Sequence, residues 1–180
     1  MRVGIAVGGS PASVVRAGTL GLPLALAIIG GIPERFAPMV ALYREAAARA
    51  GHGHLPVSIN THGFVAADHG TAVDTYYPQH AEVMGRIGAE RGWGPTNKRA
   101  FTAATGLRGH LTLGDPEEVA EKILFQHEVF GHDRALVQLA LGTVPHRAVM
   151  TAIELLGTQV APMVRAEVAR RQPAPVDSTP

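Results

Sequence analysis

Short apolar segments alternate with longer amphipathic ones along this chain of 180 residues. Residues 3–7 and 22–29 are continuous apolar runs followed by glycines, which is typical of strands covered on both faces of a parallel sheet. Residues 11–20 are long enough for a crossover helix between them. Apolar residues spaced three and four apart over 33–50 predict a second helix that ends at Gly51.

The alternation continues in the second half of the chain. Residues 55–65 begin as a strand and become polar at Asn60, Thr61 and His62, and a helix is predicted from about Asp68 toward Arg91. Residues 92–113 interrupt the rhythm as an insertion with several glycines, in which 110–113 form one possible short strand.

The most distinct helix start follows this insertion. Asp115 is its predicted N-cap, Pro116 takes the first helical position and Glu118 completes a capping box. The remaining predictions are a helix end at Gly131, a strand over 134–141, a last helix over 145–171 and a disordered tail over 172–180.

Four strand–helix units predict a parallel α/β protein, built as a doubly wound sheet or as part of a (β/α)₈ barrel. Closure of such a barrel needs eight strands, so four units make an incomplete one. Residues 1–171 are interpreted as one domain.

The amino-acid composition and the net charge argue against several classes of function. The formal net charge is +1 and basic residues form no stripe, which argues against a nucleic-acid partner. Cysteine is absent, so thiolate catalysis and zinc–thiolate sites are excluded, in keeping with a reducing cytoplasm. The start of the chain does not read as a signal peptide, and the most apolar window, 20–32, is too short to cross a membrane.

The turn after the first strand is the first candidate site. Gly8 and Gly9 would let the backbone approach a ligand, while Ser10 and Ser13 lie where the next helix begins and its free amides favour an anion. Plain helix capping by Ser10 explains the same residues. The turn matches neither a phosphate-binding Walker loop nor the dinucleotide fingerprint, and Pro11 after the serine argues against an acyl-transfer nucleophile.

Asn60 and His62 are the candidate catalytic residues, because they follow a predicted strand at the end where barrel enzymes keep their chemistry. A proton donor or a substrate contact would suit this position, and so would a histidine that only hydrogen bonds a loop. The other histidines, such as His52, His54 and His69, lack a recognisable metal-ligand spacing, so no metal site is predicted.

Several segments together resemble the C-terminal half of the bacterial luciferase-like flavin-dependent monooxygenases. They are VGGSPASVVRAGTLGLP (7–23), LALAIIGG (24–31), VAADHGTAVDTYYP (65–78), RGW (91–93), GDPEEVAEKI (114–123) and ELLGTQVAPMVR (154–165). The resemblance implies a half of a (β/α)₈ barrel in which Gly9, Ser10 and Ser13 fall on the positions that hold the phosphate of FMN, with Gly8 also among the cofactor-binding residues. It also implies that the strand end, with Ile28, Gly30 and Gly31, lies beside the flavin ring.

The function implied by the resemblance is oxygenation of an organic substrate by O₂ with reduced FMN, which an NAD(P)H-dependent flavin reductase could supply. A relative that uses the deazaflavin F420 is an alternative. Because family members are about twice as long, the chain is expected to lack an N-terminal half or to form a homo-oligomer. A non-catalytic half barrel that self-associates is the alternative outside the enzymes.

Overall fold

The computed structural model describes residues 3–94 and 97–171, and the tail predicted over 172–180 lies outside the described residues. Within these residues, five strands and seven α-helices follow each other. They are β1 (Ile5–Val7), α1 (Pro11–Thr19), β2 (Leu24–Ile28), a 3₁₀ turn (Pro33–Phe36), α2 (Ala37–Arg49), β3 (Val57–Val65), α3 (His69–Arg91), α4 (Lys98–Thr105), β4 (Thr112–Gly114), α5 (Pro116–Phe130), β5 (Arg134–Gln138), α6 (His146–Leu155), a π-helical turn (Leu156–Val160) and α7 (Ala161–Arg171).

All strands pair in parallel, which confirms the predicted sheet of alternating strand and helix units. The main path runs β1–β2–β3–β5, because residues 57–61 of β3 pair with β2 and residues 58–62 pair with β5. The short strand β4 pairs with the far end of β3, at residues 63–65. Within the described residues the sheet is open, because β1, β4 and β5 each pair with one neighbour only.

The insertion is more ordered than its glycines suggest. It contains the helix α4, which the sequence reading did not predict, and its strand lies at 112–114 instead of 110–113. Asn97 caps α4 by accepting a hydrogen bond from the Ala100 amide, 2.9 Å away. The eight-residue helix is too short for apolar periodicity to identify it against the surrounding glycines.

The predicted strand over 134–141 ends at Gln138. Leu139 and Leu141 are buried beyond this point without belonging to β5. An apolar run therefore overestimates the strand, because burial continues into the following turn although strand pairing has stopped.

Two apolar clusters form the core, and the first covers the face of the sheet on which α1 and α2 lie, which we call the helix side. In the first, alternate residues Leu24, Leu26 and Ile28 of β2 pack with Val14 of α1 and Tyr43 of α2. The second lies over β3, β4 and α3. Because side chains alternate along a strand, the opposite face of β2 carries Ala25 and Ala27, which are only half-buried.

The capping box predicted at the start of α5 is confirmed. The Asp115 carboxylate accepts hydrogen bonds from the amides of Glu117 and Glu118 at 2.9 and 3.0 Å, and the Glu118 side chain accepts one from the Asp115 amide at 3.0 Å. Both partners of the box thus satisfy amides that α5 itself leaves free.

Replacing Asp115 by alanine is expected to lower the free energy of unfolding by about 1–2 kcal/mol, because these amides lose their acceptor. Urea denaturation measures this effect. Glu121→Ala, a change at an exposed position of the same helix, serves as the control and should alter stability by less than about 0.5 kcal/mol. Equal effects of both substitutions would contradict the assigned role of the cap.

Among residues 3–94 and 97–171, no helix is long and apolar enough to span a bilayer.

Candidate active site

The turn after β1 presents an open helix start. Gly9 has a φ of +122°, a conformation that favours glycine, and no atom lies within 4 Å of where its side chain would begin. Ser10 is the N-cap of α1, and its hydroxyl oxygen accepts a long hydrogen bond of 3.4 Å from the Ser13 amide. Ser10 is exposed and Ser13 half-buried. Both serines can therefore reach a molecule outside the helix.

A cavity of about 540 Å³ lies at the carboxyl ends of β1 and β2, beside this turn. Gly8, Ile29 and Gly30 line it from the sheet side. The opposite wall comes from the end of α3, from α4 and from the segment before β4, with aromatic side chains at Trp93 and Phe101. The carboxyl ends of parallel strands are the place where such folds bind ligands.

The three predicted residues at the end of β2 have different surroundings. Gly30 lines the cavity, and Gly31 takes a φ of +79°. The Ile28 side chain is fully buried in the apolar cluster on the helix side of the sheet. Only the backbone of Ile28 can therefore face a ligand at the strand end, whereas the side chains of Ala27 and Ile29 line the cavity.

Asn60 and His62 lie on β3, on the face of the sheet that carries Ala27. Asn60 is the register partner of Ala27 and is half-buried, and His62 is buried at 8% exposure. The Nδ1 atom of His62 has no hydrogen-bond partner. Burial lowers the pKa of His62 below its ordinary value, so its ring is neutral at pH 7.

Two further histidines, not predicted as site residues, lie near His62. The His80 ring on α3 is 6.1 Å from the His62 ring, centroid to centroid, and is 5% exposed. Both ring nitrogens of His80 lack a partner. Burial, with the positive charge that His62 and His110 would carry when protonated, lowers the pKa of His80 to about 4.

His110 is half-buried and lines the cavity together with His80. Burial lowers the pKa of His110, the nearby Gly31 backbone acts in the opposite direction, and the positive charges of Lys122 and His62 lower it further. The histidines at this end of the sheet are therefore neutral at pH 7, where each can donate one hydrogen bond and accept another.

Lys122 anchors the wall formed by α4. Its ammonium group is buried and donates hydrogen bonds to the carbonyl oxygens of Thr105 at 3.0 Å, Ala104 at 3.3 Å and Gly106. These are carbonyls at the end of α4, where the helix has no partners of its own. Burial lowers the pKa of Lys122 to about 7, and the Glu118 carboxylate opposes this shift.

The other histidines are separate from this cavity. His54 pairs with Asp133 at 2.8 Å, His69 pairs with Glu118 at 2.9 Å, and the ring of His52 is 3.2 Å from the Thr19 carbonyl oxygen. Across the described part of the chain, no group of three or more histidine, aspartate or glutamate side chains has the arrangement of a metal site.

A sequence signal for His80 does exist. Val73, Tyr76, His80 and Met84 recur at spacings of three and four and are all buried on one side of α3. A histidine in an otherwise apolar stripe of a helix is a candidate for a ligand contact as well as for packing. Its proximity to His62 depends on the packing of α3 against β3 and could not be predicted from the spacing.

An open parallel sheet with a helix start and a cavity at its carboxyl edge belongs to the class of α/β proteins with barrel-type sites. Residues 3–133 match the family model for luciferase-like monooxygenases, so the chain belongs to that family. The resemblance seen in the sequence is thereby confirmed. A search of curated proteins finds no significant match.

Solved structures with the same fold are about twice as long as this chain. The monooxygenase RslO1 from Streptomyces bottropensis is 22% identical with a TM-score of 0.71, and the match covers 89% of this chain and 47% of that one. The FMN complex of the oxygenating constituent of 3,6-diketocamphane monooxygenase from Pseudomonas putida is 20% identical with a TM-score of 0.66, over 89% and 49%.

An F420-dependent secondary alcohol dehydrogenase in complex with an F420–acetone adduct is 16% identical with a TM-score of 0.61, over 92% and 50% of the two chains. At these identities the likeness establishes the fold. The chain spans about half the length of these proteins.

Proposed function

We propose that this chain forms the C-terminal half of a luciferase-like flavin monooxygenase and that the turn Gly8–Ser13 binds the phosphate of FMN. The observation that supports this most directly is the exposed start of α1 at the rim of the cavity. A phosphate there would meet backbone amides, the positive end of the helix dipole and two hydroxyls.

The residues present fit a phosphate. Gly9 leaves open space where any other residue would carry a side chain, and the first turn of α1 contains no acidic residue that would repel an anion. The hydrogen bond from the Ser13 amide to the Ser10 hydroxyl is long at 3.4 Å, so the hydroxyl can turn to an anion at little cost and leave the Ser13 amide free for it. Pro11 removes one amide at the first helical position, and the following amides remain available.

The cofactor, when bound, supplies the redox chemistry with O₂, and the protein binds, orients and shields it. In this proposal the backbone of Gly30 and Gly31 lies beside the ring of the flavin. His62 holds a proton-donating or proton-accepting nitrogen toward the substrate, and Asn60 provides an amide on the same face. An NAD(P)H-dependent reductase partner is part of the proposal, as is a cytoplasmic location.

FMN is proposed ahead of F420. Both cofactors occur among the solved relatives, since the 3,6-diketocamphane enzyme is in complex with FMN and the alcohol dehydrogenase carries an F420 adduct. The turn identified here offers its donors at a single helix start, which suits the terminal phosphate of FMN.

Titration of the purified chain with FMN and with riboflavin tests the phosphate site. FMN is expected to bind at least tenfold more tightly than riboflavin, because only FMN carries the group that the turn would hold. Calorimetry measures both affinities, and a melting temperature that rises with FMN concentration checks that the ligand binds the folded state.

Ser10→Asp is the informative variant. Aspartate caps a helix as well as serine does, so stability should be retained, while its carboxylate repels the phosphate. We expect FMN affinity to fall at least tenfold and riboflavin affinity to remain unchanged. A folded protein that binds no FMN at high micromolar concentration, or that binds both ligands equally, would overturn the proposed cofactor site.

The open sheet favours a second candidate, a non-catalytic half barrel that pairs with another copy of itself. The four strands of the main path are half of the eight that a closed barrel needs. In a two-fold dimer, β5 of each copy could pair in parallel with β1 of the other. The free strand β5 is exposed along most of its length, including Leu136 at 42%.

Light scattering distinguishes this candidate from a monomer. A stable dimer whose melting temperature does not change when FMN is added would support the non-catalytic half barrel. Leu136→Lys should then convert dimer to monomer. Leu136 is the register partner of Asn60 and lies on the same face of the sheet, so its replacement would put a charge inside the closed barrel. A wild-type chain that remains monomeric at high micromolar concentration would rule this assembly out.

A further inference from the structure

The cavity beside the sheet contains a polar feature that a flavin phosphate at Ser10 does not use. His80 is 95% buried, lines the cavity and has no hydrogen-bond partner at either ring nitrogen. His62, 92% buried, has an unpartnered Nδ1 and lies 6.1 Å from it between ring centroids. Buried polar atoms in folded proteins are nearly always hydrogen bonded, so unpartnered ones at a cavity indicate a ligand or water.

We propose that this cavity binds an uncharged organic molecule with an apolar ring skeleton, and that His80 hydrogen bonds a carbonyl or hydroxyl group of that molecule. The inference rests on the proposed function in so far as the molecule is the substrate of the flavin enzyme. The binding of the molecule can nevertheless be measured in the absence of flavin.

The apolar walls of the cavity favour a ligand with an apolar carbon skeleton. Apart from the histidines, the lining is mostly apolar, and the rings of Phe36, Trp93 and Phe101 contribute to it. His80 packs against Phe101 with a ring-centroid distance of 5.1 Å, so its nitrogens are held within an apolar wall. The volume of about 540 Å³ is that of a site for a small organic molecule.

The charges of the lining residues indicate that the polar group of the ligand is uncharged. None of the described lining residues is acidic, so a cationic ligand would have no counter-charge. Arg91 is the charged residue among them, but it is exposed and its guanidinium lies over the Trp93 ring at 5.5 Å. A carboxylate deep in the cavity would lose its hydration opposite neutral histidines, which is costly. A carbonyl or hydroxyl group loses much less and satisfies the free nitrogens.

A set of saturated probes with one skeleton tests this inference without flavin. The probes are 2-decalone, 2-decalol, decalin, decalin-2-carboxylate and 2-aminodecalin, of which only the ketone absorbs where tryptophan does, through its weak n→π* band. Trp93 is the chain's only tryptophan and lines the cavity, so its fluorescence reports binding directly.

The ketone and the alcohol are expected to bind about five- to tenfold more tightly than decalin, which corresponds to one net hydrogen bond. Both charged probes should bind more weakly than the ketone. In His80→Phe the preference for the ketone over decalin should disappear. The variant should also melt several degrees higher, because two unpartnered nitrogens leave the interior.

Two further variants complete the design. His146→Phe, at an exposed position that opens α6, should leave all affinities unchanged. His80→Gln keeps hydrogen-bonding atoms and should retain part of the preference for the ketone, which separates a polar contact from a change in shape.

Each of four results would overturn the inference. The wild-type chain could bind decalin as tightly as the ketone, or bind a charged probe most tightly. His80→Phe could keep the preference for the ketone, or the folded protein could bind none of the probes. Titration with FMN is carried out on the same variants. Retained FMN binding with no preference for the ketone rejects this inference alone, whereas lost FMN binding with the preference intact rejects only the proposed cofactor site.

Discussion

Replacing Gly63 by alanine is expected to destabilise the protein by about 3 kcal/mol or more. A side chain at this position would begin 1.9 Å from the Thr112 carbonyl oxygen and 2.7 Å from a methyl carbon of Val137. The first contact is with backbone that pairs with β3 in the sheet, so it cannot be relieved by turning a side chain. Separation of β4 from β3 is the remaining way to relieve it.

Urea and thermal denaturation measure the loss. Gly85→Ala is the matched control, because Gly85 lies within α3 and no atom lies within 4 Å of its added carbon. Alanine there should stabilise the chain by about 0.5–1 kcal/mol through helix propensity. If Gly63→Ala were as stable as the wild type, the close approach of β3 and β4 described here would be wrong.

Gly63→Ala should also affect the cavity. Gly63 directly follows His62, and β4 is preceded by Leu111, which lines the cavity. Any variant protein that still folds is therefore expected to show altered Trp93 fluorescence.

Acidification from pH 7.5 to 4.5 is expected to lower the free energy of unfolding by roughly 5 kcal/mol, a large part of the stability of an ordinary domain. His80 and His132 are both buried, and burial lowers the pKa of each to about 4. In the unfolded chain both titrate near 6.5, so between these values the unfolded state binds more protons.

This difference in proton binding means that the free energy of unfolding falls as the pH falls. Stability is fully present above about pH 6.5 and is lost as the pH falls toward 4, by about 2.5 kcal/mol for each of the two histidines at pH 4.5. The lowered pKa values of His62 and His110 act in the same direction. Carboxylates such as Glu167, with a pKa of about 2, add their own loss only in stronger acid.

Urea denaturation at intervals between pH 7.5 and 4.5 checks this dependence. The double variant His80→Phe, His132→Phe should have a much flatter profile, while His146→Phe, changed at an exposed position, should follow the wild type. A wild-type stability that is constant across this range would contradict the neutral, buried state of both histidines.

The fold class was accessible from the sequence because it depends on local patterns. Apolar runs ending in glycine at β1 and β2 and the capping box at Asp115 each report a preference that a few neighbouring residues decide. Their order along the chain then indicates a parallel sheet, since consecutive parallel strands need a helix between them. The family resemblance rested on the same segments and agrees with the match over residues 3–133.

The extent of several elements was less accessible. The helix α4 was not predicted, and β5 ends three residues before its apolar run does. In both cases the outcome depends on contacts distant in sequence, such as the bonds from Lys122 to the end of α4. A buried lysine that holds three carbonyls cannot be distinguished by spacing from one on an exposed helix face.

The candidate site likewise has one part that could be predicted from the sequence and one part that could not. The turn Gly8–Ser13 could be recognised without a structure, because a strand end, two glycines and a helix cap are consecutive in the chain. The position of His62 at the end of a predicted strand also made it a candidate from the sequence. The burial of Ile28 against α1 and α2, and the position of His80 and His110 at the cavity near His62, depend on how distant segments pack together. The physical reason is that backbone conformation is set largely by neighbours in sequence, whereas a cavity and its electrostatics are set by which surfaces pack together.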